Sequence, residues 1–192
     1  MPRRSDARGK LMKTASVLFR RQGYHGTGLT QILDESGAPK GSFYYHFPGG
    51  KEELAAVATE EAGGEISDVV DRAFSGARTF EDGAAALIDT IAGWFEKSGY
   101  TMGCPITSVL LETVPGSDRL RGVTRDVLND WTTRVAAHAE ADGFRAEDAA
   151  TIGDAMLMSL EGAWILARAR QDRTAFDNAA RTVTALASAM RG

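Results

Sequence analysis

The sequence predicts an all-α protein of nine helices arranged as two domains. Apolar residues recur at i, i+3, i+4 and i+7 along most of the chain, the period of a helix with one buried face. Alternation at period two, the mark of a half-buried strand, is absent. Glycine and proline fall where they cut the chain into helix-length pieces.

The first helix opens at Ser5 or Asp6, both good N-caps, and turns Leu11, Ala15, Leu18 and Phe19 inward. Gly23 stops it. Thr27 or Gly28 caps a short second helix carrying Leu29, Ile32 and Leu33. A turn at Ser36-Gly37-Ala38-Pro39 follows, with Pro39 expected at the first position of a third helix that runs to Tyr45. Pro48-Gly49-Gly50 breaks the chain, and a fourth helix starts near Lys51 with Leu54, Val57, Ala58, Ile66, Val69, Val70 and Ala73 inward. Gly63-Gly64 is expected to weaken or kink it.

The fifth helix buries Phe80, Ala84, Leu87, Ile88, Ile91, Trp94 and Phe95. A sixth begins at Pro105 and ends at Pro115-Gly116. The seventh, capped by Ser117 or Asp118, turns Leu120, Val123, Val127, Trp131 and Val135 inward. The eighth covers Ala146–Arg170, and the ninth runs from about residue 174 to 191.

The chain has 192 residues, enough for one large domain or two small ones. A hydrophobic content of 43% and a charged content of 25% are those of a soluble globular protein. No run approaches the ~20 apolar residues that span a bilayer. The basic N-terminus lacks the apolar segment of a signal peptide. One cysteine, Cys104, excludes an internal disulfide framework and a cysteine zinc site, and fits a reducing cytoplasm.

Charge is distributed unevenly. Residues 1–51 hold nine Lys and Arg, among them Arg3 and Arg4, against three acids, a net of +6. The remainder holds thirteen basic and twenty-three acidic residues, a net of −10. A basic head on an acidic body points to an anionic partner for the head. Arginine outnumbers lysine 17 to 5, so no single Arg is distinctive.

Two short helices joined by a glycine-containing turn and braced by a longer one form a helix-turn-helix, whose second helix enters the DNA major groove. Its first residues, Pro39, Lys40, Gly41 and Ser42, are placed to meet base edges. Lys40 donates to guanine or to phosphate. Gly41 lets the backbone approach closely. Tyr44, Tyr45 and His46 offer donors for phosphate oxygens, and Phe43 and Phe47 belong to the core. Thr27 and Lys51, at the openings of the second and fourth helices, complete the expected DNA-contact set.

Enzyme chemistry finds no constellation. A phosphate loop ending at Gly50-Lys51 would need Gly at position 45 and Ser or Thr at 52, where the chain has Tyr45 and Glu52. His25, His46 and His138 are scattered, and Cys104 has no activating neighbour in sequence. No metal or cofactor is expected.

The segment from Gly23 through Leu29, Ile32, Ser36-Gly37-Ala38-Pro39-Lys40-Gly41-Ser42-Phe43-Tyr44-Tyr45-His46-Phe47 and Lys51-Glu52-Glu53-Leu54 resembles the N-terminal signature of the TetR family. Pro39 stands where that family usually has Ser or Thr, Gly28 replaces a common Ser, and Pro48-Gly49-Gly50 is an unusually glycine-rich link. The resemblance implies a helix-turn-helix domain over residues 1–50 and a ligand-binding and dimerisation domain over 51–192. It also implies a homodimeric repressor that binds a palindromic double-stranded operator and is released by a small molecule. Gly103-Cys104-Pro105, Leu120-Arg121, Trp131, Leu160-Glu161-Gly162-Ala163 and Leu166-Ala167-Arg168-Ala169 resemble the LmrA/YxaF-like branch, which implies a lipophilic, often aromatic effector.

Candidate pocket residues are Trp94, Tyr100, Met102, Cys104, Leu111, Trp131, Met156, Glu161 and Trp164. Glu161, in an apolar stretch, either pairs across a dimer, touches ligand or is simply exposed. Small and apolar residues on the last two helices have the composition of a dimer interface: Ile152, Met156, Ala163, Ala167, Ala179, Val183, Leu186 and Met190. Core packing within one chain is the alternative.

Overall fold

The computed structural model describes residues 5–191, with only the backbone described for Ser5 and Asp6. Arg3 and Arg4, and the capping side chains expected at Ser5 or Asp6, lie outside it. The described residues form nine helices and no strand: α1 (Ser5–Gln22), α2 (Leu29–Ser36), α3 (Lys40–His46), α4 (Gly50–Ser75), α5 (Phe80–Lys97), α6 (Thr107–Thr113), α7 (Asp118–Ala141), α8 (Ala146–Arg170) and α9 (Thr174–Met190).

The helices gather into two compact units. One holds α1 to α3, α4 up to Gly64, α6, and α7 up to Val127. The other holds α4 from Glu65, α5, α7 from Leu128, α8 and α9. The first unit thus contains more than the expected head of residues 1–50. It also takes in α6 and half of α7.

In the first unit, the expected α1 face of Leu11, Ala15, Leu18 and Phe19 is buried against Ile32, Phe43, Phe47 and Leu54. Each fully buried Phe or Leu of this kind contributes about 1.5–3 kcal/mol. The α1 helix ends at Gly23, whose φ of +80° lies in the left-handed region. Arg20 ties that end to the segment before α6: its Nε donates to the Gly103 carbonyl at 2.9 Å, and Gly103 N–H donates back to the Arg20 carbonyl at 3.3 Å.

Four local expectations change. Pro39 is the N-cap of α3, one residue before the expected position, with φ −61° and ψ 140°. Its ring suits that φ, but a proline cap supplies no side-chain acceptor. The α6 helix begins at Thr107 rather than Pro105. The α4 helix is continuous from Gly50 to Ser75, without a break at Gly63-Gly64. A Cβ on Gly63 would sit 2.6 Å from Val127 Cγ1, so the residue is small for close packing against α7 rather than for bending. Trp94, expected inward on α5, is 41% exposed.

The second unit packs α9 between α5 and α8. Leu87, Ile88, Ile91, Phe95, Ile152, Met156, Phe176 and Val183 fill its centre. Thr79 caps α5 by accepting from Asp82 N–H at 3.2 Å. Arg191, just past α9, closes the unit with an ion pair to Glu81 at 2.8 Å and a second to Asp142. On the α4–α7 side, Arg134 bridges Asp71 and Asp130, both at 2.7 Å, and Ser67 Oγ donates to Asp130 at 2.7 Å.

Candidate nucleic-acid interface and sensor cavity

The α3 helix is seven residues long, too short to be stable alone, and it is held by Phe43 at its centre and Phe47 at its end, both fully buried. Packing those rings inward turns Lys40, Gly41, Tyr44 and Tyr45 outward. Tyr44 is 49% exposed and Tyr45 72% exposed, which places two aromatic rings with phenol groups beside one ammonium on a single rigid surface. Ser42 and His46 flank that surface and are half-buried. The arrangement offers hydrogen-bond donors and flat apolar area to a groove.

Two of the expected DNA contacts serve the head internally. Thr27 is fully buried, and its hydroxyl donates to the Gly23 carbonyl at 2.7 Å, fixing the turn between α1 and α2. Lys51 Nζ donates to the carbonyls of Tyr24 and Thr27, both at 3.0 Å, and stands 4.1 Å from the centre of the Tyr24 ring. Burial pushes this ammonium below its ordinary value, with the Glu112 charge opposing. Lys51 is therefore a strut between α4 and the α1–α2 turn. The type of residue was legible in the sequence; which partner its charge would find was not.

The second unit contains a small, partly open apolar cavity between α4, α5, α7 and α8. Of the nine expected pocket residues, Trp131, Met156, Glu161 and Trp164 line it. The other five do not. Trp94 faces outward, and Tyr100 packs edge-on against Phe95 at 5.4 Å. Met102 is half-buried in the segment after α5, away from the lining. Cys104 is buried in the first unit, and Leu111, also there, is 74% exposed. Aromatic or sulfur character marks apolarity, not direction. The missed wall residues, among them Ile66, Val70, Leu87, Ile91 and Val135, carried the helical period but no distinguishing chemistry.

The cavity wall is nearly all hydrocarbon. The residues of the lining that carry a polar side-chain group are Trp131, Thr132, Glu161 and Trp164. Trp164 Nε1 is shielded from solvent and has no acceptor within reach among the described residues.

The residues expected at an interface on α8 and α9 differ in burial. Ile152, Met156, Ala163, Ala167, Ala179 and Val183 are buried within the unit's own core, and Leu186 and Met190 are half-buried. Gly153 on α8 approaches α7 so closely that a Cβ would lie 2.5 Å from the Thr132 carbonyl oxygen. The outward apolar residues of α8 are Met158, Ile165 and Leu166, at 68%, 68% and 45% exposure. With Gly162 and Ala169 they follow the spacing of one helix face.

A helix-turn-helix with an exposed aromatic and cationic third helix, in a chain that also holds an apolar cavity, defines a DNA-binding transcriptional regulator. Residues 11–58 match the family described as bacterial regulatory proteins, tetR family, and residues 81–182 match the transcriptional regulator LmrA/YxaF-like, C-terminal domain. The chain belongs to the TetR family of bacterial transcriptional regulators, with an LmrA/YxaF-like C-terminal domain. It is 36% identical over 174 residues to the HTH-type transcriptional regulator YxaF of Bacillus subtilis, covering 91% of each chain. It is 34% identical over 172 residues to the HTH-type transcriptional regulator LmrA of the same organism, covering 88% of this chain and 90% of that one. A TetR regulator from Chloroflexus aurantiacus superposes with a TM-score of 0.81 at 26% identity over 96% of each chain. The regulator CifR, solved with a 26-base-pair double-strand operator, superposes with a TM-score of 0.74 at 22% identity, covering 91% of this chain and 93% of that one. These families and relatives are regulators, not enzymes. Among the described residues, no helix is long and apolar enough to cross a membrane.

Proposed function

We propose that the chain is a cytoplasmic homodimeric repressor that binds a palindromic double-stranded operator and is released by a small lipophilic or aromatic effector. The observation that carries this reading is the α3 surface, where Lys40, Gly41, Tyr44 and Tyr45 stand outward over a rigid aromatic core. Residues 1–50 read DNA, and residues 51–192 sense ligand and dimerise. Lys40 and Ser42 meet base edges or phosphates, and Tyr44, Tyr45 and His46 meet the backbone. Gly41, with no side chain, lets the start of α3 approach the groove closely.

The dimer forms through the outward face of α8, with Met158, Ile165 and Leu166 as its apolar contacts and Gly162 and Ala169 allowing close approach. Effector enters the cavity lined by Trp131, Met156, Glu161 and Trp164. Two of its wall residues, Ile66 and Val70, belong to α4, whose first turn carries the Lys51 strut of the head. A ligand that wedges against Ile66 and Val70 favours an α4 position in which the two reading helices no longer match the operator half-sites. Release requires that the effector bind that conformation better than the DNA-bound one.

The test is a mobility-shift titration on the DNA flanking the gene, where an inverted repeat is expected. Retarded complex at nanomolar protein, lost when an aromatic effector is added, supports the reading. Absence of sequence-specific retardation at low salt would overturn it.

A further inference from the structure

Within the first unit, α7 starts beside the start of α4 and runs alongside it. Ser117, just before α7, donates to the Glu52 carboxylate in the first turn of α4. Further along both helices, a Cβ on Gly63 would meet Val127 at 2.6 Å. The two helix openings therefore lie together where the chain leaves α3, at Phe47-Pro48-Gly49-Gly50. Gly50 in this link has a φ of +76°, which a residue with a side chain rarely adopts. Gly49 has a different reason to be small: a Cβ there would lie 3.1 Å from Nη1 of Arg119, in the first turn of α7. The Arg119 guanidinium lies against the backbone that leaves α3.

The other charges of this corner are engaged. Lys51 is held by the carbonyls of Tyr24 and Thr27. Glu53 accepts from the Gly49 N–H at 2.7 Å, Glu52 accepts from Ser117, and Asp118 pairs with Arg121 at 2.7 Å. Arg119 is exposed and forms no ion pair among the described residues. Its cation is kept at the link by the nearby Glu53 carboxylate, yet remains open on its solvent side.

We infer that Arg119 is a DNA contact, its guanidinium neutralising a backbone phosphate at the edge of the groove that α3 enters. This rests on the reading of α3 as the helix that faces DNA. A helix of seven residues is about 10 Å long, close to the roughly 12 Å width of the major groove. The chain that follows such a helix leaves the groove at its phosphate wall. The opening of α4 does not supply the charge there, because Lys51 points inward and Glu53 caps the link. Arg119 supplies it from α7, with a planar fork of N–H donors suited to phosphate oxygens. The contact fixes the position of α3 on the duplex and carries no sequence information itself. The DNA-facing surface thus extends beyond residues 1–50 to a helix distant in the chain.

The experiment measures operator affinity of the full chain by mobility shift across about 0.05 to 0.3 M salt, beside thermal melts. Arg119→Gln removes the charge and keeps most of the reach; Arg119→Lys keeps the charge. The slope of log affinity against log salt is expected to become shallower by about 0.9 for each Arg119 removed, and affinity at 0.1 M salt to fall about eightfold for each. Arg119→Lys should retain the parent slope. Tm should be unchanged in both variants. Ethylation interference should show, for the parent, a phosphate flanking each half-site whose modification blocks binding; that interference should vanish with Arg119→Gln.

An unchanged salt slope in Arg119→Gln, or a lowered Tm with the interference pattern intact, overturns the inference and makes Arg119 a structural neighbour of the link. Lys40→Ala, run alongside, separates this from the larger reading: if it too leaves affinity unchanged, α3 does not face DNA and the inference falls with that reading.

Discussion

Glu112 on α6 accepts a 2.6 Å hydrogen bond at Oε2 from the backbone N–H of His25, while the His25 ring Nε2 lies 2.9 Å from the Glu112 carbonyl oxygen. One residue of α6 thereby grips the α1–α2 turn twice. Gly23, next to that turn, leaves the room: a Cβ there would lie 1.8 Å from Glu112 Oε1. Gly23→Ala combines this clash with a φ of +80° and is expected to cost about 1–3 kcal/mol. A fall in Tm of several degrees checks it. Glu112→Ala should cost less, because the freed His25 N–H is exposed and regains water. If the operator dissociation constant rises for Glu112→Ala at unchanged Tm, α6 positions the reading head rather than stabilising it.

The α3 surface and the buried pair Thr27 and Lys51 should respond differently to substitution. Lys40→Ala and Tyr44→Phe are expected to weaken operator binding several-fold with little change in Tm. Removing a lysine that neutralises one phosphate also makes the slope of log affinity against log salt shallower by about 0.9. Thr27→Val and Lys51→Met should lower Tm first, since Thr27 holds the Gly23 carbonyl and Lys51 holds two others. A mobility-shift series run beside thermal melts separates the two groups. Unchanged affinity for both α3 variants would move the reading surface elsewhere.

The two central glycines of α4 should part company. A Cβ at Gly64 meets open space, whereas one at Gly63 would press on Val127. Gly64→Ala is expected to stabilise by about 0.5–1 kcal/mol through helix propensity alone. Gly63→Ala is expected to destabilise. If α4 transmits the ligand signal by local bending, Gly64→Ala reduces effector-triggered release of DNA; release at the parent effector concentration would show that α4 moves as a rigid rod.

Ile165→Asp sets a charge in the outward face of α8 without touching the core of the unit. Sedimentation velocity is expected to show a monomer at micromolar concentration with helical content preserved. A dimer persisting in that variant would place the interface on another surface.

The Arg191 clamp sets an acid dependence. Hydrogen bonds from the Arg191 guanidinium hold the Glu81 and Asp142 carboxyls below their ordinary values. Carboxyls with depressed folded pKa stabilise the fold above their unfolded values, near pH 4, and the contribution is lost as pH falls through the lower folded values. Both side chains are partly solvated, at 21% and 28% exposure, so each pair is worth about 1 kcal/mol or less after screening. Arg191→Gln should therefore lower Tm at pH 7 by a small amount and leave it equal to the parent near pH 2. A constant difference across that range would assign the effect to the packing of Arg191 on the Phe144 ring, 4.4 Å from its centre.

The nine helices were legible in the sequence, because helix period and glycine or proline punctuation are local properties that a short window carries. The outward face of α3 was legible for the same reason: Phe43 and Phe47 four apart must share a face, so Lys40, Tyr44 and Tyr45 take what is left. Direction across the fold was not. Thr27 and Lys51 had the chemistry of phosphate contacts, and only the tertiary structure brought the Gly23, Tyr24 and Thr27 carbonyls to them. Ala163, Ala167 and Val183 had the composition of an interface, yet they pack inside one chain, while Met158 and Ile165 carry the open face. The Gly63 position, read as a weak point in a helix, became a close approach once Val127 was opposite it. Residue type and spacing determine which side chains share a face. Which partner that face meets depends on residues distant in the chain, and those come together only when the helices pack.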